Sequence, residues 1–114
     1  MPLIYKILPE SLWQAALAKG ALDGAPVDLA DGFIHFSDAA QVAATAARHF
    51  AGQTGLMLLA IEAGTLGPAL KWEASRGGAL FPHLYAPLPV AAVLWARPLP
   101  QTASGAHEFS GLLA

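Results

Sequence analysis

The stretch that decides the fold is "LMLLAIEA", Leu56 to Ala63. It is an apolar run of strand length, interrupted only by Glu62, and Gly64 follows it directly. Such runs are typical of strands buried on both faces, whereas half-buried strands alternate apolar and polar residues. We therefore expect a buried central strand here.

Strand and helix patterns precede this run. "LIYKIL" is a β-branched and aromatic run that Pro9 stops, which is typical of a strand. Ser11 and Gln14 form a capping-box pattern that opens the helix "LWQAALAK", and Gly20 stands where that helix ends. Ser37 predicts the start of a second helix, "DAAQVAATAARHFA", in which apolar residues recur at 3.6-residue spacing.

The remaining segments complete the predicted fold. "ALDGAPVDLADG" has the composition of a loop, whereas "ALKWEAS", "FPHLYAPLP" and "VAAVLWA" predict further strands. Residues 100–114 have turn and linker composition, although Phe109, Leu112 and Leu113 can dock on the body. This order favours an α+β fold with two helices packed on a mostly antiparallel sheet. We expect one domain over residues 1–99 and a C-terminal tail over residues 100–114.

Composition excludes several classes of protein. Of the 114 residues 55% are hydrophobic and 12% are charged, and the net charge is −2, which indicates one well-packed domain. The chain has no cysteine, so disulfides, thiolate metal sites and a cysteine nucleophile are excluded. The six basic residues are scattered without a run, so we expect no nucleic-acid partner and no anionic membrane partner.

The chain also lacks the patterns of export and membrane insertion. The N-terminal segment has no basic region followed by a long apolar core and a cleavage site. The longest uncharged run, residues 77–96, contains three prolines and His83, so we do not expect a spanning helix. We expect a cytoplasmic protein, and the sequence leaves its oligomeric state open.

Five polar side chains are candidates for a functional site. His35 and Ser37 are two residues apart in "FIHFS", so they project to one face of an extended segment, near the N–H groups that open the second predicted helix. His83 and Tyr85 share a face of "FPHLY" by the same spacing, and Glu73 lies beside Trp72 in "ALKWEAS". We expect these five residues to converge on one pocket, since the chain is too short for two separate polar pockets.

Each candidate also has a structural interpretation. His35 can be a core-edge histidine with one backbone hydrogen bond, and Ser37 can be a helix N-cap. Glu73 can be a solvated strand carboxylate beside a core Trp72, and the segment around His83 can be an edge strand rigidified by prolines.

Metal chemistry has little support in the sequence. His35, His83 and Glu73 are chemically able to form a His₂-carboxylate set, but nothing in their spacing demands it, so we expect no metal. His49 and His107 are expected at the surface. No phosphate-binding glycine loop, nucleophile elbow or H-E-x-x-H pattern is present.

The motifs "DGFIHFSDAAQ", "LKWEASRGGALFPHLYAPLP" and "VAAVLWARPL" resemble those of the bacterial proteins grouped as domain of unknown function 952 (DUF952). The likeness runs from about Tyr5 to Leu99 and includes all five candidate residues. Ala86 stands where a glycine is common in that family.

This resemblance implies a split α+β sheet similar to the catalytic domain of ADP-ribosyltransferases, which binds NAD without a Rossmann motif. In that setting His35 and Ser37 are expected to bind ribose and Tyr85 to stack on nicotinamide. Glu73 is expected to stabilise the cationic transition state, and His83 is the second candidate catalytic residue.

Three functional classes follow from these observations. The first is an ADP-ribosyl-type transferase or an NAD hydrolase, with NAD as substrate and no certain cofactor. The second is a non-catalytic module of the same fold that binds a small ligand or a peptide. The third is a structural or interaction protein in which the motif residues form a polar network.

Overall fold

The computed structural model describes residues 2–113, with the side chain of Arg76 excepted. Its helices are α1 (Glu10–Lys19), α2 (Pro26–Asp31) and α3 (Val42–His49). Its strands are β1 (Leu3–Pro9), β2 (Ala21–Leu22), β3 (Ile34–His35), β4 (Ser37–Asp38), β5 (Leu56–Glu62), β6 (Leu70–Ala74), β7 (Leu80–Leu84), β8 (Leu88–Pro89) and β9 (Val93–Pro98). Short 3₁₀ segments cover Ala63–Ala69, Arg76–Gly78 and Val90–Ala92.

The large sheet has four antiparallel strands in the order β4-β1-β5-β9, so β5 lies between two long neighbours. Leu59 and Ile61 on one face of β5 belong to one hydrophobic cluster, and Leu58 and Ala60 on the other face belong to a second. All four side chains are completely buried. The predicted buried central strand is therefore confirmed, since β5 supplies both halves of the core.

Two smaller antiparallel sheets complete the α+β fold, with strand orders β3-β7-β6 and β2-β8. The structural interpretation of the segment around His83 was an edge strand rigidified by prolines. This interpretation is wrong, because β7 is the middle strand of its sheet. The Pro82 carbonyl still accepts the Phe36 N–H at 3.0 Å, so this position keeps a bond toward β3. Because β7 is central, His83 faces His35 across one pair and Lys71 across the other.

The prediction of two helices is wrong, because α2 forms inside the segment expected to be a loop. Pro26 occupies its first turn, where a missing N–H costs nothing. The Asp28 carboxylate reaches back to accept the Ala25 N–H at 2.7 Å and so satisfies a free donor at the helix start. Gly32 ends the helix in the left-handed conformation, with φ 87°.

The predicted helix caps also need correction. Helix α1 begins at Glu10 behind Pro9 without a side-chain cap, so the Ser11 pattern is not used, because β1 continues as far as Pro9. Ser37 pairs with Tyr5 in β4 instead of capping α3, which begins at Val42.

Three further expectations concern the edges of the fold. Trp72 was expected in the core, yet it is 39% exposed, because β6 is an edge strand of its sheet. In the tail, Phe109, Leu112 and Leu113 pack against the second hydrophobic cluster, so this segment does dock on the body. Of "VAAVLWA", only the part from Val93 onward is strand, and it extends to Pro98.

In the described part of the chain, no helix is both long and apolar enough to cross a membrane.

We predict that Leu59→Ala lowers the free energy of unfolding by about 2–5 kcal/mol, because it leaves a cavity where β5 is completely buried. Leu94→Ala on β9 is the matched control, since Leu94 is 56% exposed, and its effect should stay within about 0.5 kcal/mol. Urea unfolding of the three proteins measures both values. Equal losses in the two variants would contradict the central position of β5.

Candidate functional site

A cavity of about 490 Å³ opens between β1, the segment from α2 to β4, α3 and β7. Its volume is in the range of small-molecule sites. The polar and charged side chains on its wall include Lys6, Asp31, His35, Ser37, Thr45, His49, Ser75 and His83. The cavity therefore collects hydrogen-bonding groups from segments that are distant in the sequence.

Two histidines from the two predicted motifs meet on this wall. Because β3 and β7 pair in register, His35 lies directly opposite His83, and their ring centroids are 5.5 Å apart. The ring of Phe33 packs against both of them, at 4.5 Å from His35 and 4.2 Å from His83. Packing on Phe33 restricts both imidazoles and keeps them side by side.

His35 is oriented by a buried ion pair. Its Nδ1 lies 2.6 Å from Asp28 Oδ1, and its backbone N–H donates to the same oxygen at 3.1 Å. Lys6 Nζ lies 2.9 Å from Asp28 Oδ2, and the side chains of Lys6 and Asp28 are 6% and 1% exposed. The side chain of Asp28 therefore joins β1, α2 and β3 at one point.

The two buried charges respond differently to their surroundings. Burial alone would raise the pKa of Asp28, but the hydrogen bond from His35, the charge and hydrogen bond of Lys6 and the Ala25 N–H outweigh it and lower the pKa to about 2. Burial lowers the pKa of Lys6, although Asp28 opposes this effect. Asp28 is thus an anion throughout the physiological pH range.

His83 is held by a second carboxylate. Its Nδ1 lies 2.9 Å from Glu73 Oε1, and the Tyr85 hydroxyl donates to the same oxygen at 2.7 Å. The bonds from Tyr85 and His83 lower the pKa of Glu73, and the Glu73 carboxylate raises the pKa of Tyr85. Lys71 Nζ lies 5.3 Å from the centre of the Tyr85 ring. His83 is buried, whereas Glu73 and Tyr85 stand behind it toward solvent.

Ser37 occupies another part of the same wall. It is 4% exposed, and its Oγ lies 2.9 Å from Thr45 Oγ1 on α3. The turn before α3 is closed by Asp38 and Gln41, each of which accepts the backbone N–H of the other. Ser37 therefore does not serve as the cap of α3, and it lines the cavity instead.

The structure brings the five predicted residues together in two ways. His35, His83, Glu73 and Tyr85 form one continuous set of contacts, and Ser37 lines the same cavity as the two histidines. Glu73 and Tyr85 do not line this cavity, and Tyr85 borders a second one of about 340 Å³. The prediction of one pocket for all five residues is therefore wrong for these two, because both side chains stand behind His83 toward solvent.

Sequence reasoning missed Lys6 and Asp28. A lone lysine inside the apolar run "LIYKIL" was a signal for a buried ion pair, but its partner lay in a segment interpreted as a loop. His49 is exposed as expected, yet it also borders the cavity. Within residues 2–113, no three His, Asp or Glu side chains are placed to share one metal ion.

Comparison with known proteins places these residues in a family. The sequence model described as "Protein of unknown function (DUF952)" matches residues 7–96. No curated protein matches the chain.

Two solved structures of protein CC0527 from Caulobacter crescentus are similar to this chain over nearly its whole length. The crystal structure is 55% identical, covers 95% of each chain and superposes with a TM-score of 0.92. The solution NMR structure is 54% identical, covers 100% of this chain and 98% of the other, and has a TM-score of 0.89.

We predict that Asp28→Asn lowers the free energy of unfolding by about 3–5 kcal/mol, because the Lys6 charge stays buried without its counter-ion. Asp23→Asn is the control, since Asp23 pairs with Lys19 at the surface and should change stability by less than about 1 kcal/mol. Chemical denaturation of both variants measures the difference. A similar, small effect of both substitutions would show that the Lys6–Asp28 pair is not a structural anchor.

The depressed pKa of Asp28 also predicts acid sensitivity. Because its folded pKa of about 2 lies below the ordinary value of 3.8, this group stabilises the fold fully above about pH 4. That contribution, about 2 kcal/mol, should disappear as the pH falls from about 4 to 2. The free energy of unfolding measured across this range should fall more steeply in the natural protein than in Asp28→Asn. Parallel pH curves would contradict the assignment.

Proposed function

The chain belongs to the DUF952 family, and from the geometry of its cavity we propose that it binds NAD or a closely related ribose-bearing molecule and cleaves the bond between ribose and base. The observation that carries this proposal is the pair of carboxylate-held histidines, His35 and His83, on one cavity wall. Acid–base chemistry uses such pairs, because each carboxylate fixes the tautomer and orientation of its imidazole.

His83 is the proposed general base. When its Nδ1–H donates to Glu73, the lone pair on Nε2 is available to accept a proton, and His83 lies on the cavity wall. Glu73 then stabilises the imidazolium that forms. This assigns Glu73 a positioning role through His83, in place of the direct contact with a cationic transition state that was expected.

His35 and Ser37 are the proposed binding groups for the ribose-phosphate part of the ligand. Both line the cavity, and the Ser37–Thr45 hydroxyl pair offers donors and acceptors that suit sugar hydroxyls. Tyr85 was expected to stack on nicotinamide, but it borders the second cavity and donates to Glu73. We therefore propose that Tyr85 orients the Glu73 carboxylate through this hydrogen bond.

The proposed reaction balances without a metal or a second cofactor. The bond between the ribose anomeric carbon and the nicotinamide nitrogen breaks, and its electron pair leaves with the now neutral nicotinamide. A water oxygen bonds to the anomeric carbon, and its proton passes to His83. Transfer to another acceptor uses the same steps with an acceptor hydroxyl or amine in place of water.

A relationship to the ADP-ribosyltransferase fold is part of the same proposal. It is supported by the division of the antiparallel strands into separate sheets beside a cavity that holds the histidine motif. We also propose a cytoplasmic location and no nucleic-acid or membrane partner, in keeping with the cysteine-free and weakly charged composition.

A non-catalytic binding module is the second candidate. It is favoured by the position of Glu73, whose carboxylate accepts two hydrogen bonds and does not face the cavity. In such a module the cavity binds the ligand while no bond is cleaved.

We predict that the protein binds NAD and releases nicotinamide, and that His83→Gln lowers turnover by about 10²-fold or more with little change in affinity. Glu73→Gln should also lower turnover without raising KM, because it weakens the orientation of His83. His107→Gln, which lies outside the cavity, is the control and should retain full turnover. Calorimetry measures binding, and chromatography measures released nicotinamide.

The same measurements separate the alternatives. Binding of NAD without turnover by the natural protein would favour the non-catalytic module. Absence of NAD binding would reject the ligand assignment, and a lower melting temperature in Glu73→Gln without a kinetic effect would leave Glu73 a structural role only.

A further inference from the structure

Resting on the proposed function, we propose that the cavity recognises a phosphate group of its ligand at His35 Nε2. The Asp31 carboxylate covers this nitrogen, at a distance of 3.0 Å, and is displaced when the phosphate binds. Asp31 thus competes with the ligand for His35 Nε2. Three observations support this inference.

The first is the position of His35 between two carboxylates. Nδ1 lies 2.6 Å from Asp28 Oδ1, while Nε2 lies 3.0 Å from Asp31 Oδ2. A neutral imidazole has a single N–H, so it can donate to only one of these carboxylates. His35 therefore meets both carboxylates on the cavity wall, and the contact with the buried Asp28 is the shorter of the two.

The second is the difference between its two carboxylate partners. Asp28 is 1% exposed and is bound by Lys6 and the Ala25 N–H, so it cannot leave His35 without breaking the local structure. Asp31 is 49% exposed and ends α2, where the helix dipole disfavours a negative charge and no basic residue stands in the last turn. Asp31 is therefore the partner that can exchange.

The third is the composition of the wall. Three of the four histidines of the chain, together with Lys6 and the hydroxyls of Ser37, Thr45 and Ser75, line this cavity. Among the described residues of the wall, Asp31 is the one that carries a carboxylate. A wall rich in donors, in a chain of net charge −2, suits a ligand rich in acceptor oxygens.

Phosphate fits this chemistry better than a neutral sugar. It presents several anionic oxygens, so it can replace the Asp31 carboxylate at His35 and reach neighbouring hydroxyls at the same time. Among the side chains that the structure describes, Asp28, Asp31 and His83 are the titratable groups with a contact to His35, and Lys6 lies behind Asp28. Removal of the Asp31 charge should therefore favour an incoming anion without disturbing the buried pair.

The test compares two aspartates with matched exposure. Asp31→Asn should bind inorganic phosphate at least about fivefold more tightly than the natural protein, because a like charge is removed from the subsite. Asp23→Asn makes the same change in net charge at a side chain that is 47% exposed, and it should bind phosphate as the natural protein does. Titration calorimetry at constant ionic strength measures the three affinities.

A second measurement uses the natural protein alone. Phosphate should shift the Nε2 resonance of His35 in ¹⁵N-labelled protein, with a smaller shift at His107, which lies outside the cavity. His35→Gln should weaken phosphate binding about tenfold or more, and circular dichroism verifies that this variant is folded.

Three results would overturn the inference: unchanged or weaker phosphate binding by Asp31→Asn, an equal gain in Asp23→Asn, or no response of His35. The outcome is separate from that of the proposed function. Phosphate binding with the expected pattern and no binding of NAD would reject only the NAD assignment. NAD turnover with no gain in Asp31→Asn would reject only the phosphate subsite.

Discussion

The buried Asp28 carboxylate is the interaction on which the rest of the structure depends. It accepts hydrogen bonds from Lys6, from the Ala25 N–H, and from both the backbone and the ring of His35. These donors come from β1, from the start of α2 and from β3, so one side chain joins three elements. Removing a carboxylate and an ammonium from water costs several kcal/mol each, and this cost is offset only while every donor is in place. The geometry of the cavity wall follows from this requirement.

The two histidines work in different surroundings although they face each other. His35 contacts two carboxylates, one buried and one half-exposed. Among the described residues, His83 contacts one carboxylate, that of Glu73. Different environments for neighbouring titratable groups are how a site holds one group as an acid and the other as a base. The packing of Phe33 on both rings keeps this difference from being lost through side-chain rotation.

The parts of this arrangement that could be predicted from the sequence are those set by local periodicity. The apolar run of β5 predicts its burial, and the two-residue period in "FIHFS" predicts that His35 and Ser37 share a wall. The same period in "FPHLY" does not hold for Tyr85, because β7 ends at Leu84. Helix α2 could not be predicted in this way, because Pro26–Asp31 lacks an apolar stripe and its stability comes from the long-range bonds of Asp28. Ser37 was assigned to a helix cap for a related reason, since a serine before a helical pattern looks the same whether it caps that helix or pairs in a short strand. Register and burial decide such cases, and neither is local.

The distribution of charge argues that this wall is more than structural. Only 12% of the residues are charged, yet Lys6, Asp28, Asp31 and Glu73 all gather around two histidines. Well-packed apolar side chains generally stabilise a small domain as well as a buried ion pair does, so stability alone does not account for Lys6 and Asp28. Their joint effect is to fix the position and charge of an imidazole at the edge of a cavity. A group held in this way is suited to bind or protonate a ligand, and this is why we place the function of the protein at this wall.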